Sequence, residues 1–315
     1  MKYDKIPLTV EEHIVLLKKR GLLIEDEERA KKYLHNISYF RLTGYMIHVQ
    51  SRDGEHTFKE GTTFNQIINI YQFDKKLRAI VLEYMERIEV ALRAKLTNKF
   101  SLSHGFYWYT EYDLYDDKNI YTEINERIKE AFIEAQERFL KSFQLKYTSE
   151  SLPPSNMALE TVTLGKLARL YRGLSNKDEK MEIAKEFGVQ SPILSSWLVY
   201  LTNVRNICAH HCRLWNRRVT ADMPIVPTRK KNKFNGTVTE DFHKTMYGVI
   251  GFIDKLLHLI NPDNAFTQKI TQLIDEYSVD VAQMGFPKDW RENAVWLKRE
   301  EPDEKMEVTP SNGAI

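Results

Sequence analysis

Residues 203–218, NVRNICAHHCRLWNRR, crowd Arg205, Asn206, His210, His211, Arg213, Arg217 and Arg218 into one short segment that also holds both cysteines of the chain. Histidine exchanges its proton near neutral pH and suits general acid or base work. Arginine grips phosphate with two parallel donors and stabilises charge that builds on a phosphoryl group. Asparagine can orient a hydroxyl or a ring nitrogen. Together these side chains describe metal-free attack on a phosphodiester, most simply by the 2′-OH of RNA itself, the group that separates RNA from DNA.

Other readings of the same residues stay open. Histidine and arginine serve equally as cap partners in a structural polar network. Cys208, His211 and Cys212 share one helical segment, but no fourth metal ligand is evident and the spacing is neither CxxC nor HExxH. As small apolar side chains the two cysteines also suit packing. A DNA-reading helix carries Asn and Arg, yet no helix-turn-helix spacing accompanies them.

Geometry then asks what holds the segment. On a helix, residues at i, i+4, i+7 and i+11 share a face, so Asn206, His210, Arg213 and Arg217 form a stripe. Leu201, Val204, Ile207, Leu214 and Trp215 lie nearer the other faces and can pack inward. Arg205 sits roughly 140° from His210 on an ideal helix. The two converge only through long side chains, a local distortion, or the same segment of a second chain.

The rest of the chain reads as helices. Apolar residues recur at three- and four-residue steps over 63–100, with charges on the opposite face. Thr9 and Glu12 make a capping box for a helix that Gly21 ends. Further helices are expected at about 25–36, 119–147, 157–172, 177–187, 191–214, 238–260 and 266–276. Residues 51–63 read as a loop with a short hairpin, and the aromatic stretch around Gly44 fits neither period. The fold class is all-α, with a small β element in the N-terminal third.

Glu86 and Glu89 lie three apart on the long helix. Glu89 either pairs with Arg93 at i+4, or one of the two glutamates orients Arg205 across the bundle. Tyr39, Arg41 and Tyr45 offer either RNA-stacking and gripping groups or core packing.

Composition sets outer bounds. The 315 residues carry 46 basic and 44 acidic side chains, a formal charge of +2, so nucleic-acid contact must come from local clusters. Arg213, Arg217 and Arg218 form one; Arg229, Lys230, Lys231 and Lys233 form another, or a solvated loop. Two cysteines four apart form no disulfide framework, which suits a reducing compartment. The N-terminus lacks signal-peptide features, and no apolar run approaches the ~20 residues of a membrane helix. A cytoplasmic protein without membrane contact is expected.

Several blocks carry a resemblance. RNICAHH matches the R-x₄-H motif, with Asn after the Arg, of the HEPN superfamily of helical nucleases and nucleotide-binding proteins. WLVYLTNVRNICAHHCRLWNR resembles the signature of the Abi family (AbiD and AbiF type) of bacterial abortive-infection proteins. ISYFRLTGY, FDKKLRAIVLEYMERIEVALR and LETVTLGKLARLY resemble its other blocks, and the likeness covers about 8–260. It implies a HEPN-type helical bundle, here with additional N-terminal and C-terminal helices. With the helical pattern and the polar composition of the tail, the expected order is 1–62 (N-terminal helical or irregular extension), 63–260 (HEPN-like core), 261–300 (C-terminal helices) and 301–315 (disordered tail).

In function the resemblance implies metal-independent RNA cleavage leaving a 2′,3′-cyclic phosphate, in phage defence by a toxin held in check. Arg205 and His210 match the catalytic pair and Asn206 its polar neighbour. His211, Arg213, Arg217, Arg218 and Arg41 are candidates for gripping the RNA substrate. No cofactor and no metal is implied. One motif copy per chain implies a homodimer, and some members are restrained by a companion RNA. The alternative is an RNA-binding or adaptor protein that does not cleave.

Overall fold

The computed structural model describes residues 2, 6–175, 177–228 and 233–296. The basic residues Arg229, Lys230 and Lys231 and the tail from residue 301 therefore lie outside the described residues.

The chain opens with α1 (Val10–Lys19), α2 (Glu27–Ile37) and α3 (Tyr39–Met46). The Thr9–Glu12 capping box forms as expected. Gly21, at φ 88°, then ends α1 in the left-handed conformation that glycine adopts without penalty, and Leu22 N–H reaches back to Leu17 O at 3.1 Å. The stretch around Gly44 is α3, followed by one short 3₁₀ turn. The expected hairpin amounts to an isolated antiparallel bridge between Gln50 and Phe58; no named strand occurs among the described residues.

A second capping box, Thr63 with Gln66, starts the central helix α4 (Phe64–His104). At ~1.5 Å per residue it runs about 60 Å and passes through both of the larger cores. One apolar stripe, including Leu77, Val81, Ile88, Leu92 and Leu96, is fully buried along it.

Around α4 stand α5 (Lys118–Ile133), α6 (Arg138–Lys146), α7 (Ser155–Ala158), α8 (Leu164–Gly173), α9 (Lys177–Glu186) and α10 (Ser191–Ala209). They are followed by α11 (Met246–Ile260) and α12 (Phe266–Tyr277). The single helix expected over 119–147 is broken at 134–137, so that α6 folds back and Leu140 and Phe143 pack against Phe132. The helix expected over 157–172 is likewise two pieces, and α10 stops at Ala209 rather than 214.

Two cores result. A small one gathers α1, α2, α3 and the first turns of α4 around Leu17, Leu34, Leu42 and Ile67. The large one unites α4, α8, α10, α11 and α12. Into it α10 sends Ile193, Leu194, Trp197, Leu198, Tyr200, Leu201, Val204 and Cys208. Each such apolar side chain contributes about 1.5–3 kcal/mol on burial, which fixes the rotation of α10 and so the direction of its outward face. No described helix is long and apolar enough to cross a membrane.

Candidate functional site

The last turn of α10 decides the geometry. His210 is its C-cap, and His211 follows at φ 57°, the left-handed position usually given to glycine. His211 N–H donates to Cys208 O at 3.0 Å and Cys212 N–H to Ile207 O at 2.9 Å, the same closure that Gly21 makes for α1. The helical stripe expected through Arg213 and Arg217 therefore does not exist as such, because the helix has ended before either residue.

What brings arginine back to His210 is the chain that follows. Residues 217–225 return alongside α10: Asp222 accepts from Asn203 Nδ2 at 3.0 Å, Ile225 N–H donates to Ser196 Oγ at 2.9 Å, and Ile225 O accepts from Trp197 Nε1 at 2.8 Å. Between helix and returning chain lies an open cleft of about 310 Å³, lined by Asn206, His210, Arg217 and Arg218 among others. His210, Arg217 and Arg218 are exposed there, and Arg218 is paired with Asp241 at 2.6 Å.

Four candidates, Arg205, Arg213, Arg41 and His211, are placed elsewhere. Arg205 is half-buried and does not line this cleft; its Nη1 lies 3.4 Å from Asn206 Oδ1, so Asn206 touches both. Arg213 donates through Nη1 to the carbonyl of Gly44, and Arg41 through Nη2 to the carbonyl of His211. These two arginines clasp α3 and the motif turn to each other from both sides. His211 is exposed, its backbone engaged at N–H and at C=O.

Beneath the clasp is a group that the sequence did not single out. Asp74 of α4, fully buried, accepts from Leu214 N–H at 3.0 Å and Trp215 N–H at 2.6 Å through Oδ1. Its Oδ2 accepts from Tyr45 Oη at 2.5 Å and from Arg78. Burial pushes the Asp74 carboxyl up, opposed first by Arg78. Burial works against the Arg78 charge too, but Asp74 and Tyr45 outweigh it and hold Arg78 above its ordinary value. One carboxylate thus ties the small core, the central helix and the chain after His210. His48 adds an edge-on contact to Trp215, with ring centroids 4.7 Å apart.

The remaining candidates resolve structurally. Tyr45 serves Asp74, while Tyr39 stacks on His13 at 4.2 Å and accepts from Arg20 at 2.9 Å. Glu89 pairs with Arg93 at 3.1 Å, and Arg93 also donates to Leu159 O and Val162 O; neither glutamate shows a bond to Arg205. Cys208 is buried, and burial pushes its thiol up to about 12, whereas Cys212 is exposed. Among the described residues no three His, Cys, Asp or Glu side chains gather where they could hold a metal ion.

Comparison with known proteins places these features in a family. No curated protein and no solved structure matches the chain. A family model described as Abi-like protein matches residues 32–216, from α2 through Asp74 and the end of α10 to the turn that Asp74 holds. Since that match spans more than half of the 315 residues, the chain belongs to the Abi-like protein family.

Proposed function

We propose that this protein is a metal-independent endoribonuclease of the HEPN type, acting in the cytoplasm as an abortive-infection toxin against phage. The observation that carries the reading is the cleft at the end of α10, where Asn206, His210, Arg217 and Arg218 meet. His210 takes the proton of an RNA 2′-OH; the 2′-oxygen bonds to the adjacent phosphorus and the bond to the 5′-oxygen breaks. The products are a 2′,3′-cyclic phosphate and a 5′-hydroxyl, the leaving oxygen taking its proton from an imidazolium or water. Arginine donors offset the charge gathered on the phosphate oxygens.

Within one chain Arg205 stands outside the His210 cleft, a placement that favours RNA binding without cleavage for an isolated copy. In a homodimer two motif segments face each other and each Arg205 serves the other copy's cleft. Asn206, bonded to Arg205 and lining the cleft, is the hinge of that arrangement. Restraint by a companion RNA belongs to the same reading, since the cleft that grips substrate also grips an inhibitor. Incubation of the purified protein with total RNA in EDTA tests it: cleavage is expected and is expected to vanish in His210→Ala. A general base accounts for about 10²–10⁴ in rate. Undiminished cleavage by a folded His210→Ala chain rules the assignment out.

A further inference from the structure

The outward face of α10 does not stop at the His210 cleft. Pro192, Ser196, Val199, Asn203, Asn206 and His210 recur at three- and four-residue steps, one face of one helix. Three open concavities adjoin along it: Val199 lines both the first and the second, Asn203 both the second and the one that holds His210. At ~1.5 Å per residue the stripe runs about 27 Å.

One wall is the returning chain at Asp222; the other is the edge of α8, where Lys166, Arg169 and Arg172 line the concavities. Glu123 of α5 pairs with Lys166 and, at 2.7 Å, with Arg169. Arg172 is exposed, and its guanidinium has no ion pair or hydrogen bond among the described residues. The floor is uncharged and mixed: Ser196, Asn203 and Asn206 supply polar groups between the apolar Pro192 and Val199, and no Phe, Tyr or Trp side chain lines it among the described residues.

We propose that this groove is a track for the sugar–phosphate backbone of single-stranded RNA, running from Arg172 past Arg169 to the His210 cleft; the proposal rests on the ribonuclease reading above. A row of cations beside an uncharged floor suits a strand held by its phosphates. At the stacked rise of ~3.4 Å per nucleotide the length accommodates roughly eight nucleotides. Glu123 limits the pull of Lys166 and Arg169, and so sets how tightly an uncommitted strand is held.

The test uses the full chain carrying His210→Ala, so that RNA is bound and not consumed. Fluorescence anisotropy is read with a labelled trinucleotide and a labelled 12-nucleotide RNA over a range of salt. Adding Arg169→Ala and Arg172→Ala is expected to weaken the 12-mer on the order of tenfold and to flatten its log–log salt slope by about 1.4. The trinucleotide, held at the cleft alone, is expected to change less than twofold. Glu123→Gln is expected to tighten the 12-mer several-fold, a gain that a damaged fold would not give. Equal 12-mer affinity with and without the two arginines, or equal losses for both lengths, overturns the track while leaving the ribonuclease reading standing. Failure of every chain to bind either RNA overturns the underlying reading and the track with it.

Discussion

At the scale of single residues, the two neighbouring histidines do different jobs. His210 faces the cleft with Asn206, whereas His211 spends its backbone closing the helix and meeting Arg41. His211 occupies a left-handed position that costs a non-glycine residue about 1 kcal/mol. His211→Gly is therefore expected to fold at least as stably as the parent and to keep its RNA chemistry; loss of cleavage in that variant would move the catalytic role to His211. The cysteines divide in the same way. Cys208, with its thiol pushed up to about 12 by burial, is expected to resist iodoacetamide in the native protein, while exposed Cys212 reacts. Peptide mapping after labelling reads this directly, and modification of Cys208 at the rate of Cys212 would contradict the packing.

At the scale of elements, the motif turn is held by α3 and α4 rather than by its own helix. Asp74 accepts two backbone N–H groups of that turn as well as Tyr45 and Arg78. Asp74→Ala leaves Arg78 buried without its carboxylate and is expected to cost about 3–5 kcal/mol in denaturant unfolding. Asp74→Asn keeps the one oxygen that accepts from both Leu214 and Trp215 and is expected to cost less; a loss below ~1 kcal/mol in the alanine variant would show the network to be dispensable. His48, against Trp215, is held below its ordinary value of 6.5 by burial, then by Lys59 and Arg213, with Asp280 opposing. A depressed folded value favours the neutral ring, so the stability it contributes is present above pH 6.5 and lost as the pH falls below it. Thermal unfolding followed downward from pH 8 is expected to decline less steeply in His48→Gln than in the parent, and parallel curves would remove His48 from the account.

These elements also show what the chain's pattern conceals. The Thr9–Glu12 box and the long stripe of α4 are legible because capping and periodicity are local. The end of α10 is not legible, because a histidine stands where glycine would mark it. Nor does Asp74 announce itself: DKKLR reads as an ordinary i, i+4 pair until the chain after His210 arrives to bury it. Arg217 and Arg218 reach the cleft, as the clustering of charge suggests, but through the returning chain, and Arg217 not through the helical face that its spacing predicts.

At the scale of the whole molecule, one chain offers a cleft with His210 and keeps Arg205 beside it on Asn206. If two copies compose the site, Arg205→Ala and His210→Ala chains, each inactive alone, are expected to recover cleavage on mixing, because a mixed dimer retains one intact arginine and one intact histidine. A fully active monomer in light scattering would exclude the shared site. The central claim, that this Abi-like chain cuts RNA with side chains alone, is tested most directly at the cut ends. RNA incubated with the purified protein in EDTA is expected to carry 2′,3′-cyclic phosphate and 5′-hydroxyl termini, absent with His210→Ala. Intact RNA, or fragments ending in 3′-hydroxyl, would contradict it.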